Sequence, residues 1–326
     1  MKLPMTRATR PTSNARNYAV AAAVGGAALG GLALIARRQA SNATQNHPAA
    51  GRFLDVDGVR LHYVEWGVGE PLVLIHGNGT QIQDFETSGL IDLAAQTFRV
   101  IAFDRPGFGY SSRPRGTIWT PSAQADLIHK ALVQLGVERC ILLGHSLGAS
   151  VATALALRHP SSVKALVLVS GYYYPTERFD SGFQIAQASP ILGDVLCHTL
   201  APLLGRLGWP ALMRKIFFPA ACSRSFSAAV KEMALRPSQL RSSAADAALM
   251  VPTAVKMRAR YGELSMPVGI VVGANDQLID PQSQSIRLHG EISGSSIDVI
   301  SGMGHMVHHG AKTEVMKAIN AVAGVA

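Results

Sequence analysis

Ser146 stands at the centre of Gly144-His145-Ser146-Leu147-Gly148, and this short run is the part of the chain best suited to covalent chemistry. A serine hydroxyl is a weak nucleophile until a base takes its proton, and that base needs a third group to orient it. The apolar run CILLG (140–144) precedes the motif, and a helical stretch from Ser146 to Arg158 follows it. A strand-to-helix turn this tight forces its central residue into a strained backbone conformation. Gly144 and Gly148 remove side chains that would otherwise collide with the neighbouring strand and helix. The helix start adds backbone N–H groups and the positive end of a dipole. Strand before and helix after are what make a G-x-S-x-G match meaningful.

Base and acid candidates lie at two later strand ends. VGIVVG (268–273) runs into Ala274-Asn275-Asp276, and SIDVIS (296–301) runs into Gly302-Met303-Gly304-His305. Asp276 is therefore expected as the orienting acid and His305 as the base. Asp280 is the rival acid, but it precedes Pro281 and reads better as a helix cap. His308 and His309 follow closely on His305. No carboxylate or cysteine spacing completes a metal set around them, so they are read as helix-surface or pocket residues. No metal and no cofactor are expected.

The elements that must position these residues are legible as short apolar runs alternating with helical stretches. RFLDVDGVRLHYVEW reads as two strands around Asp57-Gly58, a dipeptide suited to a tight hairpin turn. PLVLIH (71–76), RVIAFD (99–104), CILLG (140–144), ALVLVS (165–170), VGIVVG (268–273) and SIDVIS (296–301) are apolar on both faces, as strands inside a parallel sheet are. Thr120-Pro121 opens a helix through Leu135 that Gly136 closes, and His159-Pro160 stops the helix begun at Ser146. The sum is α/β: a doubly wound, mostly parallel sheet with helices on both faces. Between Gly171 and Gly262 the alternation breaks into pieces such as Ile191–Leu207 and Ser223–Leu235. That stretch is expected to be a helical cap over the C-terminal edge of the sheet, where open α/β folds bind ligands.

From Arg52 onward, with GHSLG at a strand-to-helix turn and the order Ser, Asp, His, the chain resembles an α/β-hydrolase-fold serine hydrolase of the esterase and lipase kind. The resemblance implies Ser146 as nucleophile, His305 as general base and then acid, and Asp276 as the residue holding the imidazole. It also implies an oxyanion hole built from the backbone N–H of Leu147 and that of Asn78, in the loop His76-Gly77-Asn78-Gly79. Asp104-Arg105-Pro106-Gly107-Phe108-Gly109-Tyr110-Ser111 resembles the loop after the following strand and is expected to be structural. His145 is expected to pack rather than to catalyse. Tyr172-Tyr173-Tyr174 is read either as the wall of an acyl pocket or as hinge packing. The implied reaction is hydrolysis of a carboxylic ester of a small or lipid-like molecule. Amides, carbon–carbon bonds beside ketones and peracid formation stay open on the same triad, as does a non-catalytic binding role. Carboxylate-nucleophile branches such as epoxide hydrolases and haloalkane dehalogenases are disfavoured by serine at position 146.

The whole chain has 326 residues, 48% of them hydrophobic and 16% charged, which suits a globular core. Its net charge of +9 is unevenly spread: Lys2, Arg7, Arg10, Arg16, Arg37, Arg38 and Arg52 all precede the first acid, Asp55. Basic residues and aromatics do not interleave, so no nucleic-acid surface is expected. Instead a basic arm (1–17) leads into Tyr18–Ala36, an uncharged run about as long as the ~20 residues that cross a bilayer. The run is read as a membrane anchor with the hydrolase on the non-cytoplasmic side, and export after signal cleavage or organellar import are the alternatives. Residues 37–51 read as a polar linker, 52–170 with 263–326 as the core, and 171–262 as the cap. Cys140, Cys197 and Cys222 suggest neither a disulfide framework nor a zinc site.

Overall fold

A computed structural model describes residues 13–176 and 186–325. Residues 1–12 of the expected basic arm, and 177–185 of the expected cap, lie outside the described residues. Eight strands form one sheet: β1 (Arg52–Val56), β2 (Val59–Trp66), β3 (Glu70–Ile75), β4 (Phe98–Phe103), β5 (Cys140–His145), β6 (Val163–Val169), β7 (Val268–Gly273) and β8 (Ser296–Ile300). Their order is β1-β2-β4-β3-β5-β6-β7-β8, antiparallel from β1 to β4 and parallel thereafter. Every strand read from the sequence is present. At the β1–β2 turn Asp57 and Gly58 both have positive φ (49° and 76°), the geometry of a type I′ hairpin.

Strand alternation builds the two halves of the core. Val73 and Ile75 of β3, Leu142 of β5, and Leu166 and Leu168 of β6 point to one face. There they meet helices α4 (Pro121–Gln134) and α5 (Leu147–Arg158) through Leu127, Ile128 and Val151. Leu72, Leu74, Ile141, Leu143, Ala165 and Val167 point to the other face. That face is covered by α2 (Gln83–Ser88), α3 (Leu90–Ala94) and the C-terminal helix Lys312–Ala323, through Phe85, Leu90 and Ile319. Both faces of the central strands are dry, which is why their sequences read as continuous apolar runs. Thr120 caps α4 by accepting the N–H of Ala123 at 3.2 Å.

Helices alone fill the described stretch between β6 and β7, apart from turns. The main ones are α6 (Pro190–His198), α7 (Leu200–Phe217), α8 (Arg224–Ala234) and α9 (Pro237–Met257), and a 3-10 helix, Arg258–Glu263, leads from α9 toward β7. The piece read as Ile191–Leu207 is in fact two helices, broken at Thr199 (φ −125°, ψ −84°), and the second continues to Phe217 with Pro210 inside it. The longest cap helix, α9, buries Gln239, Ser242 and Asp246 alongside Ala244, Ala247 and Met250, so no clean apolar stripe marks it in the sequence.

The linker expected at 37–51 is corrected over most of its length. A single helix, α1, runs from Ser13 to Asn46, straight through Arg37 and Arg38. Its final turns are held by the cap: Ala36 and Ala43, about two turns apart on one face of the helix, are buried, and Gln39 accepts the Arg206 Nε–H at 3.0 Å. The preceding turns are bare, with Tyr18, Val20, Val24, Leu34 and Ile35 all exposed.

Candidate active site

Ser146 follows the last residue of β5 and precedes the first of α5, with φ 54° and ψ −119°. A non-glycine residue at positive φ is strained, and such strain persists only where surrounding structure over-determines it. Here two glycines do so. A Cβ on Gly144 would lie 2.5 Å from the Gly148 carbonyl oxygen, and a Cβ on Gly148 would collide with the Ile75 and His76 carbonyls. Only this pair lets β5, α5 and the end of β3 approach closely enough to lift the serine.

Residues far apart in the chain meet at that serine. His305 Nε2 accepts the Ser146 Oγ–H at 3.0 Å, and His305 Nδ1–H donates to Asp276 Oδ2 at 2.8 Å. Asp276 Oδ1 in turn accepts the N–H groups of Leu278 (2.8 Å) and Ile279 (2.9 Å), which fixes the carboxylate plane. All three side chains are largely buried. The structure brings Asp276, and not Asp280, to the imidazole. Asp280 accepts the Ser283 N–H at 2.8 Å on the exposed opening turn of the next helical segment.

Leu147 is the first residue of α5, so its N–H has no acceptor within the helix. The facing loop, Gly77 to Gly79, follows β3. Its peptide planes are held from behind by Arg105, whose Nε–H donates to His76 O and whose Nη2–H donates to Gly77 O, both at 2.9 Å. With the carbonyls turned toward Arg105, the opposite side of the loop is left to N–H groups. The Asn78 side chain donates its Nδ2–H to the Ser243 carbonyl of α9 at 3.1 Å and ties the loop to the cap. His76 receives the Arg105 backbone N–H on Nε2 at 2.9 Å and donates from Nδ1 to Gly77 O at 2.7 Å. Burial, reinforced by the Arg105 charge, lowers the His76 pKa to about 4.

Arg105 was read only as part of a structural loop. It is fully buried, and its Nη1–H pairs with Asp246 of α9 at 2.6 Å and with Gln124 at 2.8 Å. Asp104 is structural, as expected: it accepts from His62 Nδ1–H (2.7 Å), Ile82 N–H and Tyr110 N–H (2.9 Å each).

His308 and His309 are not helix-surface residues. Both donate from Nε2–H to Asp84 Oδ1, at 2.9 and 2.8 Å, and His308 is completely buried. The carboxylate that the sequence reading did not find comes from α2, 224 residues upstream of His308. Burial pushes the Asp84 carboxyl up, but the two imidazoles outweigh it and hold it well below the ordinary range. His145 is buried and packed, as expected, and donates from Nε2–H to the His305 carbonyl at 3.1 Å. Burial, with His308 and then His305 adding to it, holds its pKa well below the usual imidazole value. Asp84, His145, His308 and His309 thus form the bed on which the His305 loop rests.

Tyr172, Tyr173 and Tyr174 divide the two roles offered for them. Tyr172 packs with Leu147, Ala247, Met250, Ala254 and Ile279 on the cap side of the elbow. Tyr173 and Tyr174 sink into the main core and donate their backbone N–H groups to Gln284 Oε1 at 2.7 and 2.8 Å. Beside Leu147 and Tyr172 the void is only about 10 Å³, barely enough for one water.

A buried serine hydroxyl, imidazole and carboxylate in hydrogen-bonded sequence, on a doubly wound sheet with a helical cap, define a class. Residues 70–311 match the model of the alpha/beta hydrolase fold family, and the chain belongs to that family. It is 38% identical over 144 residues to a 2-hydroxymuconate semialdehyde hydrolase of Pseudomonas sp. (strain CF600), covering 43% of this chain and 51% of that protein. The chain therefore spans about half the length of this curated relative. A 2-hydroxy-6-oxononadienedioate/2-hydroxy-6-oxononatrienedioate hydrolase of Klebsiella pneumoniae is 28% identical over 272 residues, 80% of this chain and 91% of that one. Among solved structures, a bacterial membrane phospholipase A superposes with a TM-score of 0.66 at 20% identity, over 94% of this chain and 96% of its own. At that identity the likeness is one of fold.

Proposed function

We propose that this protein is a serine hydrolase that cleaves carboxylic esters through an acyl-enzyme on Ser146. One observation carries the reading: the unbroken hydrogen-bond sequence Ser146–His305–Asp276, with the serine at a strained strand-to-helix turn. His305 takes the Ser146 proton as Oγ attacks the ester carbonyl. The resulting oxyanion faces the N–H groups of Leu147 and Asn78. Collapse breaks the C–O bond to the leaving alcohol, which receives the proton from His305 Nε2. Water then enters, gives its proton to His305 and attacks the acyl carbon, and Ser146 leaves with that proton. Asp276 holds the Nδ1–H tautomer that keeps Nε2 free to accept.

A fluorophosphonate probe tests this directly. The purified protein is expected to take one label, at Ser146, and Ser146→Ala to take none while keeping its melting temperature. Absence of labelling on the wild-type protein, beside a labelled control hydrolase, would overturn the reading. A second reading is favoured by the relative from strain CF600: hydrolysis of a carbon–carbon bond in a semialdehyde or dienol ketone. Turnover of such a ketone exceeding that of a panel of acyl esters would select it.

The bare half of α1 supports a further part of the reading, that the hydrolase is anchored to a membrane. The basic arm before the span points to a cytoplasmic N-terminus with the hydrolase on the far side. Protease protection in sealed vesicles of known sidedness reads that orientation.

A further inference from the structure

A cavity of about 720 Å³ opens between the loop after β4 (107–119) and α9, and Ser146, Asp276 and His305 are not among its lining residues. Helix α9 separates the two places. Ala247, Met250 and Ala254 face Leu147 and Tyr172, whereas Ser242, Ala245 and Leu249 face the cavity.

The walls carry five arginines, Arg60, Arg113, Arg115, Arg236 and Arg241, and no Asp or Glu. The charges behind them do not balance. Asp194 pairs with both Arg115 and Arg241 at 2.8 Å. Asp246 pairs with Arg113 at 2.8 Å and with Arg105 at 2.6 Å. Four guanidiniums, those of Arg105, Arg113, Arg115 and Arg241, therefore share two carboxylates. Arg60 and Arg236 make no ion pair among the described residues. Arg60 lies over the Phe53 ring at 3.7 Å, and Arg236 donates to the Met233 and Gly109 carbonyls and to Gln239. A half-enclosed concentration of unbalanced positive charge focuses the field and draws an anion. Guanidinium forks match carboxylate and phosphate oxygens in pairs. The floor is apolar, with Trp119, Ala245, Ala248 and Leu249, and Ile118 stands 73% exposed at the cavity wall.

We infer that this cleft binds an amphiphilic anion, a carboxylate or phosphate head on an apolar body, at a place distinct from the Ser146 pocket. Basic wall and apolar floor are on the scale of a small organic ligand, for which pockets of roughly 300–1,000 Å³ are usual. The inference does not depend on the reaction at Ser146.

Titration calorimetry on full-length Ser146→Ala protein in a non-ionic detergent tests it, with octanoate, octyl phosphate and octanol as ligands. Binding of either anion, at least tenfold tighter than octanol and weakening as salt is raised, is expected. Arg60→Gln/Arg236→Gln is expected to weaken that binding at least tenfold, while Arg38→Gln, on α1, leaves it unchanged. Arg60→Gln alone, at an exposed side chain, serves if the double variant does not fold, and should lower affinity measurably by itself. Stronger binding of octanoate assigns a carboxylate ligand, and of octyl phosphate a phosphate; either supports the site. The inference is overturned if octanol matches the anions, if inorganic phosphate and acetate bind as tightly as their octyl counterparts, or if the arginine variants bind as the parent does.

Discussion

At the scale of single residues, the two acids near His305 offer a clean discrimination. Asp276→Asn is expected to lower kcat by a factor on the order of 10⁴, because it favours the wrong imidazole tautomer. Asp280→Asn should stay within about threefold of the parent, since Asp280 serves only an exposed turn. Steady-state kinetics on one ester substrate reads both. His76 supports a prediction about stability. Its Nε2 accepts a backbone N–H and must stay unprotonated in the folded state, where its pKa falls to about 4. The unfolded chain, with an ordinary imidazole pKa of about 6.5, therefore binds the extra proton first as pH falls. Its contribution to stability is complete above about pH 6.5 and is lost as pH drops toward 4, about 2 kcal/mol having gone by pH 5. Urea denaturation at pH 7 and pH 5 measures the loss, and His76→Gln should flatten it.

At the scale of elements, the geometry of the candidate site is shared between core and cap. Arg105 holds the loop after β3 and is itself held by Asp246 of α9, with both side chains fully buried. Removing one partner of such a pair leaves a buried charge alone, at a cost of about 3–5 kcal/mol. Asp246→Ala is expected to destabilise the protein by that order in denaturant titration, and to lower kcat more than it raises KM. What was legible beforehand divides along the same line. Ser146, Asp276 and His305 each sit at the end of a short apolar strand, so local pattern was enough to find them. The pairs Arg105–Asp246 and Asp84–His308 join residues whose local sequence carries no sign of the partner, 141 and 224 positions away. Their only signal is burial, which appears once the sheet is assembled. The extent of α1 was hidden differently: Arg37 and Arg38 end an apolar run but need not end a helix, and Ala36 and Ala43 are too small to advertise a contact.

At the scale of the whole molecule, the exposed apolar surface gathers on α1 and on the cap helices beside it. Ile191, Leu192 and Val195 of α6 and Leu203, Leu204 and Leu207 of α7 are all exposed, and α1 packs against α6, α8 and α9. Contiguous exposure of this kind marks a membrane or partner surface. The full-length protein is expected to stay with membranes through alkaline carbonate extraction, and a chain lacking residues 1–36 to be released. With that shortened chain, Leu203→Ser/Leu204→Ser/Leu207→Ser should reduce residual flotation with phospholipid vesicles several-fold, without a change in melting temperature. Retention of flotation by the triple variant would count against contact between cap and bilayer.

The void of about 10 Å³ beside Leu147 has a kinetic meaning. Its lining includes Leu147 and Tyr172 but not Ser146, Asp276 or His305, so a substrate whose acyl chain needed that space would require α9 and Tyr172 to withdraw and would meet only the fraction of molecules already open. If that fraction were 1%, the apparent affinity would be about a hundredfold weaker than the intrinsic one. Any surface or ligand that prefers the open form would recover that factor without touching Ser146. The protein's responsiveness would then be set by the standing ratio of two conformations rather than by the strength of its chemistry.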